Sequence, residues 1–349
     1  MGSLISADFE GTRSAAILGC EGLSLGVEER AFFRDVRPLG FILFARNIDA
    51  PDQVRALVDD LRAAVDDAHA PVLIDQEGGR VQRLRPPHWR AAPPMRPFGA
   101  LYADDPTVAG EALRLNIALI AQELTALGID VDCAPVLDVP APDGHEIIGD
   151  RAFGDDPAVV TALGRVVIDA FLENGVLPVA KHIPGHGRAM ADSHLELPRV
   201  TADLAALEGR DFPPFKALND CPLGMTAHIT YDAIDADRPA TSSPAVIEGV
   251  VRGQLGFDGL LMTDDLSMKA LTGSFVERAQ VARDAGCDVV LHCNGDMVEM
   301  RAAVDGAGMM DGQGARRWLA AHARKALPNA DFDVRATRER LDALLAGRV

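Results

Sequence analysis

The chain is poor in aromatic residues: two tryptophans (Trp89, Trp318), two tyrosines and 13 phenylalanines, 5% of 349 residues. A long groove lined by stacking rings is therefore not expected. Positive charge is scarce as well. Against 52 aspartates and glutamates stand 34 lysines and arginines, a formal net charge of −18 at pH 7. That balance argues against nucleic acid or an anionic membrane as a partner. The five cysteines (Cys20, Cys133, Cys221, Cys287, Cys293) form no C-x-x-C pair, so neither a zinc ribbon nor a disulfide framework is indicated. No apolar run approaches the ~18 residues of a membrane helix. The N-terminus lacks a basic segment followed by an apolar core, so no signal peptide is expected. "MGSLIS" fits the myristoylation pattern, but no other membrane signal accompanies it. Neither G-x-G-x-x-G nor G-x-x-x-x-G-K-[ST] follows a candidate strand, which removes the usual support for nucleotide binding. A cytoplasmic enzyme is the default expectation.

What is present is a regular alternation. Eight short apolar runs end in polar residues: "AAILGC" (15–20), "FILFAR" (41–46), "PVLID" (71–75), "IDVDCAP" (129–135), "VLPVAKH" (176–182), "PLGMTAH" (222–228), "GLLMTDD" (259–265) and "DVVLHC" (288–293). Several are apolar on both faces, as parallel strands covered by helices must be. Between them lie segments of helical period at 51–68, 107–128, 158–175, 201–220, 243–256 and 275–287. The segment 201–220 opens with Thr201 as a cap and is expected to break at Pro213 and Pro214. Eight strands alternating with helices predict an α/β fold, a single-domain (β/α)8 barrel over residues 1–349, with the segment from 296 onward closing the outer helical layer.

Barrel enzymes carry their chemistry at the C-terminal ends of the strands. Those ends here hold Arg46, Asp75, Asp132, Lys181, His182, His228, Asp264, Asp265 and His292. The densest stretch is "KHIPGHGRAMADSH" (181–194), which admits three readings. His182, His186, Asp192 and His194 could form a metal site, although Pro184 and the glycines forbid the helix that would pair two histidines at i, i+4. Lys181 could be a Schiff-base nucleophile, although surrounding carboxylates would raise its pKa. Or Asp192 could orient His194, making a group that both gives and takes a proton near neutrality. The third reading needs a nucleophile from elsewhere, and Asp264 follows a buried strand directly.

"KHIPGHG", "ADSH" and "MTDDLSM" together resemble the β-N-acetylglucosaminidases of glycoside hydrolase family 3, the bacterial type that recycles peptidoglycan fragments. "IDQEGGRVQRL" (74–84), "APVLDV" (134–139), "IIGDRAFGDDP" (147–157) and "GMTAHITY" (224–231) match as well, in the family's order. The resemblance implies a retaining exo-enzyme that removes terminal β-linked N-acetylglucosamine from small fragments, N-acetylglucosaminyl-anhydro-N-acetylmuramic acid and its peptides. It implies no cofactor and no metal, and a monomer is expected. Asp264 would be the nucleophile, and His194 the general acid/base with Asp192 as its partner. Asp75, Arg83, Arg151, Lys181 and His182 would hold the terminal sugar. His186 is left to shape the loop, Asp265 is an accessory carboxylate, and the glycines before the dyad would hinge a loop that closes on substrate. The chain departs from common members at "PAPDGHE" (140–146) and in "MTDD" where many have "SDD". These departures touch the aglycone contacts rather than the chemistry.

Overall fold

The computed structural model of the chain describes residues 11–141, 147–189, 197–327 and 331–346. All eight apolar runs become strands: β1 (Ser14–Leu18), β2 (Pro38–Leu43), β3 (Val72–Ile74), β4 (Val131–Asp132), β5 (Leu177–Ile183), β6 (Leu223–Thr226), β7 (Leu260–Asp265) and β8 (Val289–His292). Neighbours pair in parallel around the ring, and β8 closes on β1 with Ala16 opposite Val290 and Leu18 opposite His292. Every residue of β1, β2 and β5 is buried. A strand with barrel interior on one face and helices on the other has no wet side, which explains its continuous apolar run.

Two strands are displaced from their sequence limits. β2 ends at Leu43, so Arg46 sits beyond it in the short turn Ala45–Asn47. β4 forms ladder bonds over two residues only. After the Cys133 N–H reaches the Ile74 carbonyl, the chain parts from β3 but stays bonded to β5, where the Lys181 N–H donates to the Pro135 carbonyl and the Leu137 N–H to the Lys181 carbonyl.

The principal outer helices begin where the sequence supplies starts. Pro51–Ala64, Pro106–Thr125 and Pro157–Glu173 carry proline in the first turn, where its missing N–H is harmless. Asp105 and Asp156 accept first-turn N–H groups, and Ser274 forms a capping box with Glu277 ahead of Phe275–Asp284. Such caps satisfy donors that the helix itself cannot.

The segment 201–220 differs from expectation. Asp203, not Thr201, is the cap, and the helical winding continues from Leu204 to Ala217 without a break. Over Leu207–Asp211 the turn widens, and the Phe212 N–H reaches back to the Leu207 carbonyl. Pro213 and Pro214 then enter as the first turn of a fresh α-helical piece, so neither removes an interior bond.

Beyond residue 296, Met297–Ala307, Gly312–His322 and Val334–Leu345 complete the helical layer, the last bridged to Pro106–Thr125 by Arg340–Glu111 at 2.8 Å. Two small sheets decorate the mouth: a hairpin of Gln76–Gly78 with Val81–Gln82, and a sheet of Arg199–Val200, Thr230–Tyr231 and Asp235–Pro239. The hairpin turns at Gly78 (φ +100°), where a Cβ would also stand 2.3 Å from the Pro93 carbonyl oxygen. Among the described residues no helix is long and apolar enough to cross a membrane.

Candidate active site

At the C-terminal mouth of the barrel lies a cavity of about 260 Å³, lined by Asp75, Arg83, Arg151, Lys181, His182, His186, Asp264 and Asp265 together with Phe44, Met225 and other apolar groups. This is small for a ligand pocket. It has room for one compact polar ligand, not for a chain of them.

One wall is an ionic lattice drawn from three parts of the chain. Lys181, on β5, places its ammonium 3.0 Å from Asp75 Oδ1 and 2.6 Å from Glu77 Oε1. Arg151, in the turn Gly149–Arg151 that follows β4, grips Glu77 with two parallel bonds of 2.8 Å from Nε and Nη2. Arg83 Nη2 donates to the other oxygen of Asp75 at 2.8 Å. Asp75 and Glu77 leave the end of β3 two residues apart, and that spacing puts both on one face of the extended chain.

Burial alone would push both carboxyls up. For Asp75 the charges of Lys181 and Arg83 outweigh it and hold the group well below the usual carboxylate range. For Glu77 the Arg151 and Lys181 charges do the same and bring it to about 2. Burial would likewise favour a neutral Lys181 amine, but Asp75 and Glu77 outweigh it and push the ammonium well above its ordinary value. A lysine held as an ammonium between two carboxylates is a poor nucleophile toward a carbonyl, which weighs against the Schiff-base alternative.

A second group surrounds the imidazoles. Asp138, fully buried, bonds His182 Nδ1 at 2.7 Å and accepts the backbone N–H of His186 at 2.6 Å. The His182 ring therefore presents its other nitrogen to the cavity, and its orientation is fixed. His186 meets His182 edge to face at 5.5 Å between centroids. Burial, reinforced by His182, lowers His186 to about 4, so it is neutral at pH 7. Among the described residues no group of three or more His, Cys, Asp or Glu is placed to hold a metal; the metal reading of this stretch also used Asp192 and His194, which lie outside them.

The two aspartates at the end of β7 divide sharply. Asp264 lines the cavity, and the hydrogen bond recorded for its carboxylate comes from the next residue, Asp265 N–H at 2.8 Å. Burial works to raise it; His228, His182, that N–H and Lys181 outweigh the burial and leave it below the usual carboxylate range. It is an ionised, lightly held carboxylate. The Asp265 carboxylate is committed, accepting from Ser267 N at 3.0 Å and from Cys293 N at 3.1 Å on β8's exit. His228 stands behind both, bonded to Thr241 Oγ1 at 2.7 Å and the Asp265 carbonyl at 3.0 Å.

The structure thus gathers Asp75, Arg83, Arg151, Lys181, His182 and Asp264 at one cavity. Of the strand-end residues outside the lining, Arg46 and His292 bind elsewhere. Arg46 binds the carbonyls of Cys20 and Cys293, across the β1–β8 seam. His292 bonds Glu299 at 3.2 Å beneath the helix Met297–Ala307. Asp192 and His194 lie outside the described residues.

The glycines expected to hinge the loop are both closely packed. Gly185 N–H bonds the His182 carbonyl at 2.7 Å, its own carbonyl accepts from Tyr231 at 2.7 Å, and a Cβ on Gly187 would stand 2.0 Å from the Val139 carbonyl oxygen. Close packing, not freedom of motion, requires glycine at 187. Two site residues escaped the sequence reading, Glu77 and Asp138. Both lie inside matched motifs, and a signal existed for each: Glu77 stands two residues from Asp75 after a strand, and Asp138 is an isolated acid in the apolar run "APVLDV".

With this geometry in place, comparison with known proteins gives a consistent picture. The profile described as glycosyl hydrolase family 3 N terminal domain matches residues 27–311. A beta-hexosaminidase of Alkalilimnicola ehrlichii is 44% identical over 285 residues, 80% of each chain. One from Xanthomonas oryzae pv. oryzae is 38% identical over 316 residues, 86% of this chain and 92% of the relative. Among solved structures, NagZ from Neisseria gonorrhoeae in complex with N-trifluoroacetyl-D-glucosamine superposes with a TM-score of 0.83 at 29% identity, covering 97% of this chain and 98% of that one. Family profile, relatives and fold agree: the chain belongs to glycosyl hydrolase family 3, and within it to the β-hexosaminidase group of enzymes.

Proposed function

We propose that the protein is a retaining exo-β-N-acetylglucosaminidase that removes terminal N-acetylglucosamine from small peptidoglycan fragments, N-acetylglucosaminyl-anhydro-N-acetylmuramic acid and its peptides, in cytoplasmic cell-wall recycling. The observation that carries the reading is the pairing, in one small cavity, of an ionised and lightly held Asp264 with the Asp75–Glu77–Lys181–Arg151 lattice. Charged donors and acceptors fixed by one another suit the hydroxyls of a single sugar. A cavity floored by the barrel and lined by few aromatics suits a chain end rather than the middle of a polymer.

Asp264 attacks the anomeric carbon while His194, oriented by Asp192, protonates the departing oxygen. A covalent glycosyl-enzyme results. His194, now neutral, deprotonates water, and a second displacement releases the sugar with retention. Asp75, Arg83, Arg151, Lys181 and His182 hold the ring, and Glu77 behind them fixes Lys181 and Arg151. A neutral base repels an anionic acceptor less than a carboxylate would, so transfer to phosphate is a side reaction of this design. The chain acts as one barrel domain over 1–349 and as a monomer.

Hydrolysis of 4-nitrophenyl N-acetyl-β-D-glucosaminide, compared with the glucoside, tests the reading. Preference for the acetamido sugar supports it. Equal rates would point to a β-glucosidase, and no turnover of either to a binding-only barrel. His194→Gly is expected to slow kcat by about two to four orders of magnitude, the share of acid–base catalysis. Unchanged turnover in that variant removes His194 from the mechanism.

A further inference from the structure

Behind the cavity wall lies a carboxyl group to which the proposed chemistry gives no role. Asp132 ends β4, is fully buried, and accepts the Gln76 N–H on Oδ1 at 3.0 Å. It sits where the parallel ladder stops: Ile74 is its register partner, the Cys133 N–H still reaches the Ile74 carbonyl at 2.9 Å, and the next donor along, on Gln76, is met by the side chain. Gln76 is a fixed post. Its Oε1 accepts from Arg83 N at 2.9 Å and Leu84 N at 3.0 Å, and its Nε2 donates to the Leu84 carbonyl at 3.0 Å. Asp75 and Glu77 stand on either side of that post.

We propose that Asp132 is a positioning residue for the reaction: through the Gln76 N–H it sets the Asp75 and Glu77 carboxylates against Lys181. The proposal rests on the reading of that lattice as the grip on the sugar.

The role belongs to the neutral acid. The charged and titratable groups facing Asp132 are Asp75 and Glu77 from the turn after β3, Lys181 from β5, and Cys133 beside it. Burial raises its carboxyl to about 8, with Asp75 and Glu77 adding to the rise and the Gln76 N–H and Lys181 opposing it. Burial also holds the Cys133 thiol well above its ordinary value, so no compensating change comes from there. Below about pH 8, then, Asp132 carries a proton and adds no charge beneath the lattice. Above it, a third carboxylate competes for the one ammonium that Asp75 and Glu77 share. Oδ2 has no hydrogen-bond partner among the described residues, so an anion formed there has only Lys181 to turn to. The grip loosens, and sugar binding weakens while chemistry on the bound sugar changes less.

The test follows KM and kcat for the nitrophenyl N-acetylglucosaminide, and inhibition by free N-acetylglucosamine, from about pH 6 to about pH 9.5. In the wild type both KM and the inhibition constant are expected to rise about tenfold between about pH 7 and about pH 9, with the slope of one proton. Asp132→Asn keeps an acceptor oxygen for Gln76 but cannot ionise, and its constants are expected to stay level. Asp132→Leu, without an acceptor, is expected to have a raised KM at every pH. A level wild-type profile overturns the proposal whatever the variants do, and so does an Asn variant that keeps the rise. Lys181→Met separates the two readings. If it binds N-acetylglucosamine as well as the wild type, the grip itself is misread and this proposal falls with it. If it binds poorly while the wild-type profile is level, Asp132 alone is misassigned.

Discussion

Asp264→Ala is expected to lower kcat/KM by about four orders of magnitude or more, on the scale of losing a covalent nucleophile, while leaving the fold near wild-type stability. The two halves of that expectation have separate structural causes. The rate is expected to fall because Asp264 is an ionised cavity carboxylate that, among the described residues, accepts one hydrogen bond, and so is open to approach an anomeric carbon. The fold survives because that bond comes from the adjacent residue and spans no elements, so its loss unties nothing. Asp265→Ala should behave in the opposite sense, since Asp265 ties the exit of β7 to Ser267 and to Cys293 beyond β8. Mass spectrometry of the enzyme inactivated by a fluorosugar checks the assignment. The label should sit on the peptide carrying Asp264, and a label on any other side chain refutes the nucleophile.

Lys181→Met should destabilise the protein by about 3–5 kcal/mol at pH 7 and abolish measurable sugar binding. The methionine fills the space of the lysine stem but leaves Asp75 and Glu77 buried without the cation they share. Arg83 and Arg151 each retain one carboxylate, which limits the loss.

The pH dependence carries the same signature. Glu77 titrates lower in the fold, at about 2, than its ordinary value of 4.5. A depressed carboxyl stabilises the fold above its unfolded pKa, and that stabilisation, about 3 kcal/mol, disappears as pH falls from about 4.5 to about 2. The wild type should therefore lose stability steeply in that window. Lys181→Met, whose Glu77 is less depressed, should lose less there, having lost more already at neutral pH. Urea titrations at several pH values measure both, and a variant whose acid limb matches the wild type would show that Lys181 does not set the Glu77 charge.

Most of the barrel was legible because its strands have no wet face. "PLGMTAH" and "GLLMTDD" announce buried parallel strands by composition alone, and their polar ends mark the mouth. What the sequence hid were interactions that depend on a neighbour's geometry. Asp138 reads as one acid in an apolar run until His182 is seen 2.7 Å away, 44 residues further on. Pro213 and Pro214 read as breakers because a five-residue helical step cannot be foreseen from propensity. Asp264 and Asp265 are identical in type and adjacent in sequence; what tells them apart is that the Asp265 carboxylate is tied to Ser267 and Cys293. The resemblance to a family filled part of this gap, and it named Lys181, Arg151 and Asp75 before their contacts were visible.

The β1–β8 seam has a bearing on how the protein is made. Cys293, which lines the cavity, follows the last strand, and its carbonyl and that of Cys20 after the first are held together by Arg46. The Asp265 carboxylate likewise finds the Cys293 N–H only once β8 is in place. A chain emerging from the ribosome with seven strands folded would carry nearly every polar group of the site, yet lack the wall that encloses them. Such a half-born enzyme lacks the side of the cavity formed by Leu291 and Cys293 and the Cys293 N–H that fixes Asp265. The site is thus completed only by the last strand, the one that closes the ring.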